Sequence, residues 1–318
     1  MRVLIATDGS HSANVAVALA AGLRWPAGSA FRLVSVVPRG ADVAMNWSPE
    51  RAEVEELDRY RDPLVRSHAV ALADAERELS AAQPGARIDR FLLRGRAATL
   101  IVQEARDFAA DLVVLGHRGR GTIETMLLGS VSAEVVDHAP CAVLVARSAE
   151  HGSIVFADDG SPSARVAATV LEQLPLPPET AVTVLTVSDN GFSYETAVSP
   201  GLYNESMTMY VQSEEEANRE AREVAAAALA RFDQAGLSAT AVTRVGDPAH
   251  EIVAYAKEHQ TGLLVLGTRG HTGLRRLVLG SVARNVLLHA PCSVLVVREN
   301  VSPPAEGDAV AHAALADR

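Results

Sequence analysis

The feature that most constrains this chain is an internal repeat with a single, unchanging offset. The segment IATDGS at the start is matched by FADDGS, and the residues common to both copies recur 151 positions later. The shared pairs are Ala6 and Ala157, Asp8 and Asp159, Gly95 and Gly246, Gly116 and Gly267, Gly119 and Gly270, Gly129 and Gly280, and Pro140 and Pro291. A length of 318 residues also favours two domains. We predict domains at residues 1–149 and 150–298, followed by a disordered tail at 299–318 that has no apolar period.

Each copy alternates strand and helix patterns. In the first copy we predict strands at residues 2–7, 31–37, 87–94, 112–116 and 142–147, and helices at 12–23, 50–82, 98–108 and 130–138. In the second copy the strands are expected at 154–157, 182–187, 238–245, 263–267 and 293–298, and the helices at 162–174, 205–232, 250–259 and 281–289. Runs such as LVVLG and LLVLG are apolar at every position, which indicates burial on both faces of a parallel sheet. The predicted fold class is α/β, with two tandem open parallel-sheet domains that carry helices on both faces and are Rossmann-like.

The last strand of each copy predicts how the two halves meet. The runs AVLVA and SVLVV are short, apolar and terminal, and bare edges of this kind invite aggregation. Antiparallel pairing of the two strands would cover both edges within one molecule. The sequence leaves open whether the paired unit forms a homodimer.

Composition excludes several partners. The net charge of −10 disfavours nucleic acid, because neutralising phosphates needs a basic face. No apolar run reaches 18 residues and no signal-peptide pattern opens the chain, so we expect no membrane span and a cytoplasmic protein. Lys257 is the only lysine, which excludes a Walker-type lysine from nearly the whole chain. Cys141 and Cys292 are expected to be buried structural thiols.

Two features in each copy follow strands whose carboxyl ends should border a ligand crevice. Asp8 and Asp159 lie in the Asp-Gly-Ser segments that close the first strands. The loops GHRGRGTIETMLLGS and GTRGHTGLRRLVLGS follow the fourth strands and share the spacing Gly-x2-Gly-x9-Gly-Ser. Glycine lets the backbone approach a ligand closely, and a helix amino terminus attracts an anion. A phosphate site in each copy is therefore predicted, with Arg118 and Arg269 as nearby cations.

Structural alternatives compete with these assignments. Ser130 and Ser281 could cap the following helices, and Asp8 and Asp159 could be turn or N-cap residues. His138 and His289 fall in the last turn of a helix, where histidine is favoured electrostatically, and no second histidine lies at helical spacing from them. We therefore predict no metal site built from protein side chains.

The glycine loops, with the aspartate after the first strand and the HAPC endings, resemble the ATP-binding universal stress proteins over about residues 1–298. This resemblance implies a tandem-domain member with an adenine nucleotide alpha hydrolase-like fold and one ATP site per copy, with Mg²⁺ or Mn²⁺ on the phosphates left open. It implies that Gly116, Gly119, Gly129 and Ser130 hold the phosphates, that Asp8 contacts the nucleoside, and that Val36 meets the adenine through its backbone. The implied nucleotide-binding residues are Ala6, Asp8, Val36, Gly116, His117, Arg118, Gly119, Arg120, Gly129, Ser130 and Val131, and then Ala157, Asp159, Val187, Gly267, Thr268, Arg269, Gly270, His271, Gly280, Ser281 and Val282.

Three functions compete at this stage. The first is an ATP-binding stress or signalling protein that acts by nucleotide-dependent regulation. The second is an ATP-using enzyme of a related α/β class, such as an adenylating ligase, although the SGGxDS-type loop of such enzymes is replaced here by DGSHSA and DGSPSA. The third is an interaction module without nucleotide. A nicotinamide site would need GxGxxG after the first strand, which is missing. Since no activated nucleophile or general base is evident, we expect ATP turnover to be absent or very slow.

Overall fold

The computed structural model of the chain describes residues 1–38, 62–119, 127–150, 152–177, 179–188, 203–268 and 279–299. The first half contains β1 (Arg2–Ala6), α1 (His11–Gly22), β2 (Ala30–Val37), α2 (Pro63–Ala82), β3 (Arg87–Arg94), α3 (Ala97–Asp107), β4 (Leu112–Gly116), α4 (Ser130–His138) and β5 (Ala142–Ala146). The second half contains β6 (Ile154–Ala157), α5 (Pro162–Gln173), β7 (Val182–Ser188), α6 (Tyr203–Gln234), β8 (Ala239–Val245), α7 (Pro248–Glu258), β9 (Leu263–Gly267), α8 (Ser281–His289) and β10 (Ser293–Val297). The predicted tail falls outside the described residues from residue 300 onward, as do residues 50–61 of the predicted second helix.

All ten strands of the described part form one sheet in the order β3-β2-β1-β4-β5-β10-β9-β6-β7-β8. Pairing is parallel within each half, and β5 meets β10 antiparallel, with Leu144 opposite Leu295. The predicted α/β fold and the predicted pairing of the last strands are both confirmed. The two parallel sheets are thereby joined into a single continuous one.

Helices cover both faces of this sheet, and each face has its own apolar layer. Val3 and Ile5 pack toward α1 and α2, whereas Leu4 and Ala6 pack toward α3 and α4. Successive residues of a strand point to opposite faces, so a strand covered on both sides must be apolar throughout. This explains the unbroken apolar runs of the sequence.

Two serines start the helices that follow the first strand of each half. The Ser10 hydroxyl accepts a hydrogen bond from Ala13 N at 3.2 Å, and Ser161 accepts one from Ala164 N at 3.2 Å. Each serine therefore satisfies an amide that the helix cannot pair internally. These caps fix the helices beside the carboxyl ends of β1 and β6.

No helix in the part of the chain that the structure describes is long and apolar enough to cross a membrane.

Candidate functional site

The strand order opens a crevice in each half. From β1 the chain runs outward through β2 to β3 and then returns to place β4 on the other side of β1. In an open α/β sheet this reversal of direction separates the loops at the carboxyl ends of the two central strands and leaves room for a ligand. The second half repeats the reversal between β6 and β9.

In the first half this crevice is a cavity of about 570 Å³, within the usual range for small-molecule sites. It is bordered by the ends of β1, β2 and β4 and by residues of α1 to α4. The structure brings nine of the predicted nucleotide-binding residues to its wall, namely Ala6, Asp8, Val36, Gly116, Arg118, Gly119, Gly129, Ser130 and Val131.

Asp8 lies at the mouth of the cavity and faces the glycine loop. Its Oδ1 accepts a hydrogen bond from Ser10 N at 2.9 Å. A Cβ atom at Gly119 would come within 2.8 Å of Asp8 Oδ2, so a larger residue at this position would displace the Asp8 carboxylate. The turn interpretation of Asp8 is correct, whereas the N-cap interpretation is wrong because Ser10 caps α1.

Gly116 is required by packing against α1. A Cβ atom there would lie 2.4 Å from the backbone carbonyl carbon and oxygen of Ser12, far inside contact distance. This glycine therefore sets how closely α1 approaches the end of β4. Its role as a packing residue could not be read from the loop spacing.

Gly129 is the N-cap residue of α4, and because it has no side chain it cannot cap the helix amides. Gly129 N donates to His117 O at 2.7 Å, and no side chain caps the helix. Ser130 is the first helical residue and is exposed, so the prediction that it caps this helix is wrong. The amides of Ser130, Val131 and Ser132 have no helical carbonyl upstream, and all three residues line the cavity. This arrangement suits an anion.

Arg118 brings a cation to the wall of the same cavity. Its carbonyl oxygen lies 3.5 Å from the Ser10 hydroxyl, which holds the loop backbone against the start of α1. Its Nε is buried and has no hydrogen-bond partner among the described residues. Arg118 lines the cavity together with the first residues of α4, and a guanidinium in such a place is suited to a phosphate oxygen.

His117 is directed toward the sheet. Its Nδ1 lies 3.3 Å from Ser12 Oγ and 3.2 Å from Ala146 O. Burial, followed by the nearby charge of Arg147, lowers the pKa of this imidazole. His117 therefore braces the base of the loop in its neutral form.

The sequence reasoning missed three polar residues of the cavity wall, which are Thr7, Ser132 and, on α2, His68. His68 Nδ1 lies 2.8 Å from Ser35 Oγ, and only 3% of the histidine is exposed. His68 shares the buried stripe of α2 with Leu72, Ala75 and Leu79. That helical spacing is visible in the sequence and could have placed His68 inward, although it does not show which end of the sheet the residue meets.

The second half reproduces the backbone frame. Asp159 Oδ1 accepts from Ser161 N at 3.0 Å, and a Cβ atom at Gly267 would lie 2.3 Å from Ser163 Oγ. Gly280 N donates to Thr268 O at 2.8 Å and opens α8 without a side-chain cap. Ala157, Val187, Ser281 and Val282 occupy the positions that correspond to Ala6, Val36, Ser130 and Val131. The prediction that Ser281 caps its helix is wrong for the same reason as for Ser130.

Side chains differ more than the backbone does. Asp158 stands where the first half has Thr7, and its Oδ1 takes over the hydrogen bond from the following glycine amide, Gly160 N, at 2.8 Å. Burial, reinforced by the neighbouring Asp159, raises the pKa of Asp158. Helix α6 contains no histidine. Four predicted site residues lie outside the described part of the chain, namely Arg120, Arg269, Gly270 and His271.

The histidines at the helix ends are held by their own helices. His138 Nδ1 lies 2.8 Å from Glu134 O, and His289 Nδ1 lies 2.9 Å from Asn285 O. No group of three or more metal-ligating side chains occurs among the described residues. Both cysteines are buried and unpaired, as predicted.

Fold and site together define a class of protein. It is an α/β protein of two similar halves, and in each half a helix with a glycine N-cap begins near the crevice where the strand order reverses. The Universal stress protein family matches residues 1–147 and, a second time, residues 151–298. The chain belongs to the universal stress protein family, as a member with two such domains in tandem.

Individual relatives agree with this assignment. A universal stress protein of Thermus aquaticus is 36% identical over 145 residues, which cover 46% of this chain and 97% of that protein. A universal stress protein of Mycobacterium tuberculosis is 32% identical over 182 residues, 53% of this chain, and the match spans only about half (56%) of that relative. The crystal structure of a universal stress protein from Archaeoglobus fulgidus gives a TM-score of 0.60 at 17% identity and covers 94% of this chain and 98% of the other. At that identity the likeness shows the fold alone.

Proposed function

We propose that each half of this universal stress protein binds ATP and that the protein acts in stress response or signalling through nucleotide-dependent regulation. The observation that carries the proposal is the uncapped amino terminus of α4, whose first residues line a cavity that Arg118 also lines. Helix amides and a guanidinium are complementary to a chain of phosphates. The same frame in the second half supports a second site.

The remaining wall of the cavity is suited to a nucleoside. Val34, Val36 and Ile101 give an apolar surface beside the strand ends, against which an adenine can lie. Asp8 offers carboxylate oxygens for a ribose hydroxyl. Since the described side chains do not cluster as metal ligands, Mg²⁺ or Mn²⁺ would be held mainly by the phosphates.

We further propose that the protein is not an enzyme. Ser35 Oγ lies 2.8 Å from His68 Nδ1, but Ser35 is buried and only His68 lines the cavity, so this pair offers no accessible nucleophile. Steady ATP turnover above about 1 s⁻¹, within the ordinary enzyme range, would favour the alternative of an ATP-using enzyme with an unidentified substrate. A cytoplasmic location and further dimerisation stay predictions.

The test is calorimetric titration with MgATP. Wild type should bind two equivalents, and Gly129→Glu or Gly280→Glu should each reduce the number to one, because the new carboxylate occupies a phosphate position. Val131→Glu is a second variant for the first site, since this exposed residue tolerates replacement better than the tightly packed Gly129. Gly22→Glu adds the same charge where no atom lies within 4 Å and should leave the number at two.

Two results would reject the proposal. One is wild type that binds no adenine nucleotide and releases none on denaturation, as judged by mass spectrometry of freshly purified protein. The other is unchanged stoichiometry in all of the carboxylate variants. If Gly129→Glu and Gly280→Glu each lose one site while the remaining site keeps its affinity for MgATP, the assignment of one site per half stands.

A further inference from the structure

The helices α4 and α8, whose amino termini form the proposed phosphate sites, run toward the seam where β5 pairs with β10. A helix leaves its last four carbonyl groups without intrahelical donors, and buried carbonyls need partners. In α4, Val135 O accepts from Ala139 N at 2.8 Å, and His138 O lies 3.5 Å from the Arg106 guanidinium. Two carbonyls of this helix end remain to be satisfied.

Those two carbonyls are bound by an arginine from the other half of the chain. The guanidinium of Arg298, which follows β10, donates to Val136 O at 2.8 Å and also to Asp137 O. Arg284 of α8 adds an ion pair with Asp137 at 3.5 Å. The carboxyl end of the first half's phosphate helix is thus completed by the second half.

The first half provides a similar contact to the second half. Arg147, which follows β5 and corresponds to Arg298 in the repeat, donates to Leu287 O near the carboxyl end of α8 at 2.6 Å. Each arginine leaves the strand of its own half and crosses the seam. Its target in each case is the helix whose other end faces the nucleotide cavity of the opposite half.

Such an arginine affects the far end of the helix in two ways. A cation at the carboxyl end and an anion at the amino end both interact favourably with the helix dipole. The helices have nine residues, which gives a length of roughly 14 Å, short enough for the two charges to attract through the protein. The hydrogen bonds also fix the helix against the seam and thereby fix the direction of its free amides.

We propose that Arg298 and Arg147 are positioning residues that act crosswise: Arg298 supports the nucleotide site of the first half, and Arg147 supports that of the second. This inference rests on the proposed function, because it concerns the affinity of those sites. It implies that neither half is a complete nucleotide-binding unit without the other.

The test uses full-length protein with one site blocked. Val282→Glu leaves only the first site to report, and Val131→Glu leaves only the second. In the first-site reporter, Arg298→Gln should weaken MgATP binding about threefold to tenfold, whereas Arg147→Gln, which acts on this half only through its charge near His117, should weaken it less. In the second-site reporter, Arg147→Gln should weaken MgATP binding more than Arg298→Gln does.

The crossed pattern separates positioning from a general loss of stability. Arg298→Gln removes hydrogen bonds to two carbonyls of α4 and Arg147→Gln a hydrogen bond to one carbonyl of α8, so urea midpoints of both variants are measured beside Kd; a general loss of stability would weaken both sites in each variant. Arg298→Lys, which keeps the charge and one donor, should recover part of the lost affinity and provides a milder variant should Arg298→Gln fail to fold.

The outcomes distinguish the inference from the proposed function. If the reporters bind MgATP but Arg298→Gln weakens both sites equally, only the second, or neither, the crosswise role is wrong. If Arg298→Gln does not fold and Arg298→Lys binds MgATP at the first site as tightly as the unsubstituted reporter, the crosswise role is also wrong. If the unsubstituted protein binds no MgATP, the proposed function fails and the inference fails with it.

Discussion

The buried ion pair of Arg32 and Glu104 gives a sharp test of what stabilises the first half. Arg32 NH1 lies 2.9 Å from Glu104 Oε2, and about one-tenth of each side chain is exposed. The guanidinium lies between the rings of Phe91 and Phe108, at 4.5 and 4.4 Å from their centroids. This cluster joins β2, β3 and α3.

The expected magnitudes follow from the burial. Removing one partner of a buried pair leaves an uncompensated charge and costs about 3–5 kcal/mol, whereas replacing both by apolar residues is often neutral or stabilising. Glu104→Gln should fall at the low end of that range, because the two aromatic rings still stabilise the cation. Arg32→Met should fall at the high end. The double variant Arg32→Met with Glu104→Leu should lie within about 1 kcal/mol of wild type.

The assay is urea unfolding at pH 7, followed by circular dichroism, for the two single variants and the double variant. Arg77→Met is the matched control, because its pair with Asp74 is 2.8 Å long but mostly exposed and should contribute at most about 1 kcal/mol. Single variants that each cost less than 1 kcal/mol would refute the argument. So would a double variant as unstable as the worse single variant.

Three further outcomes are expected. Gly116→Ala should destabilise the fold by about 1–3 kcal/mol through overpacking, while Gly22→Ala, which meets no atom within 4 Å, should be neutral or slightly stabilising; equal urea midpoints would contradict this. Burial raises the pKa of Cys141 to about 12 and that of Cys292 to about 11, so iodoacetamide at pH 8 should label neither thiol in native protein and both in guanidinium; rapid native labelling would count against it. Because the pKa of Asp158 is raised in the folded state, its ionised form destabilises the protein. Asp158→Thr should therefore stabilise the protein at pH 7, and this gain should shrink as the pH falls toward 4. Urea midpoints of the variant and wild type across that range would overturn the reasoning if the gain grew at low pH.

Much of the fold could be read from the sequence because buried parallel strands leave an unmistakable pattern. The predicted bounds 112–116 and 263–267 coincide with β4 and β9, and 130–138 and 281–289 coincide with α4 and α8. Some helix starts were misplaced, although the start of α5 at Pro162 was predicted correctly. The second half's third helix was expected at residue 250 but begins at Pro248, because the Asp247 carboxylate caps it by accepting from His250 N at 2.8 Å.

The site was predictable where it depends on backbone and less so where it depends on packing. The glycine spacing, the aspartate after the first strand and the family resemblance placed nine of the 19 residues that line the first cavity, because these signals are local in sequence. The capping assignments of Ser130 and Ser281 were wrong because a glycine one residue earlier takes the N-cap position in each case. His68 was missed because its place depends on how α2 lies across β2, which no local pattern specifies.

The two halves have similar backbones, so side chains at equivalent positions can be compared directly. Position by position, Arg32 and Glu104 become Thr183 and Tyr255, so the second half replaces a buried ion pair by a hydroxyl and a buried aromatic ring. That exchange lies under the cavity and concerns stability. The exchange of Thr7 for Asp158 is different, because Thr7 lines the cavity of the first half.

A carboxylate at that position acts on any ligand that carries phosphates. Asp158 is held in place by Gly160 N and lies beside Asp159, so the second crevice begins with two acidic groups where the first has one. Like charges raise the free energy of a bound polyphosphate, and a divalent cation on the phosphates reduces that repulsion. We therefore expect the second half to bind ATP more weakly than the first and to depend more strongly on Mg²⁺. Two sites of unequal affinity, joined by one sheet and crossing arginines, would let the protein respond over a wider range of ATP concentration than two equal sites could.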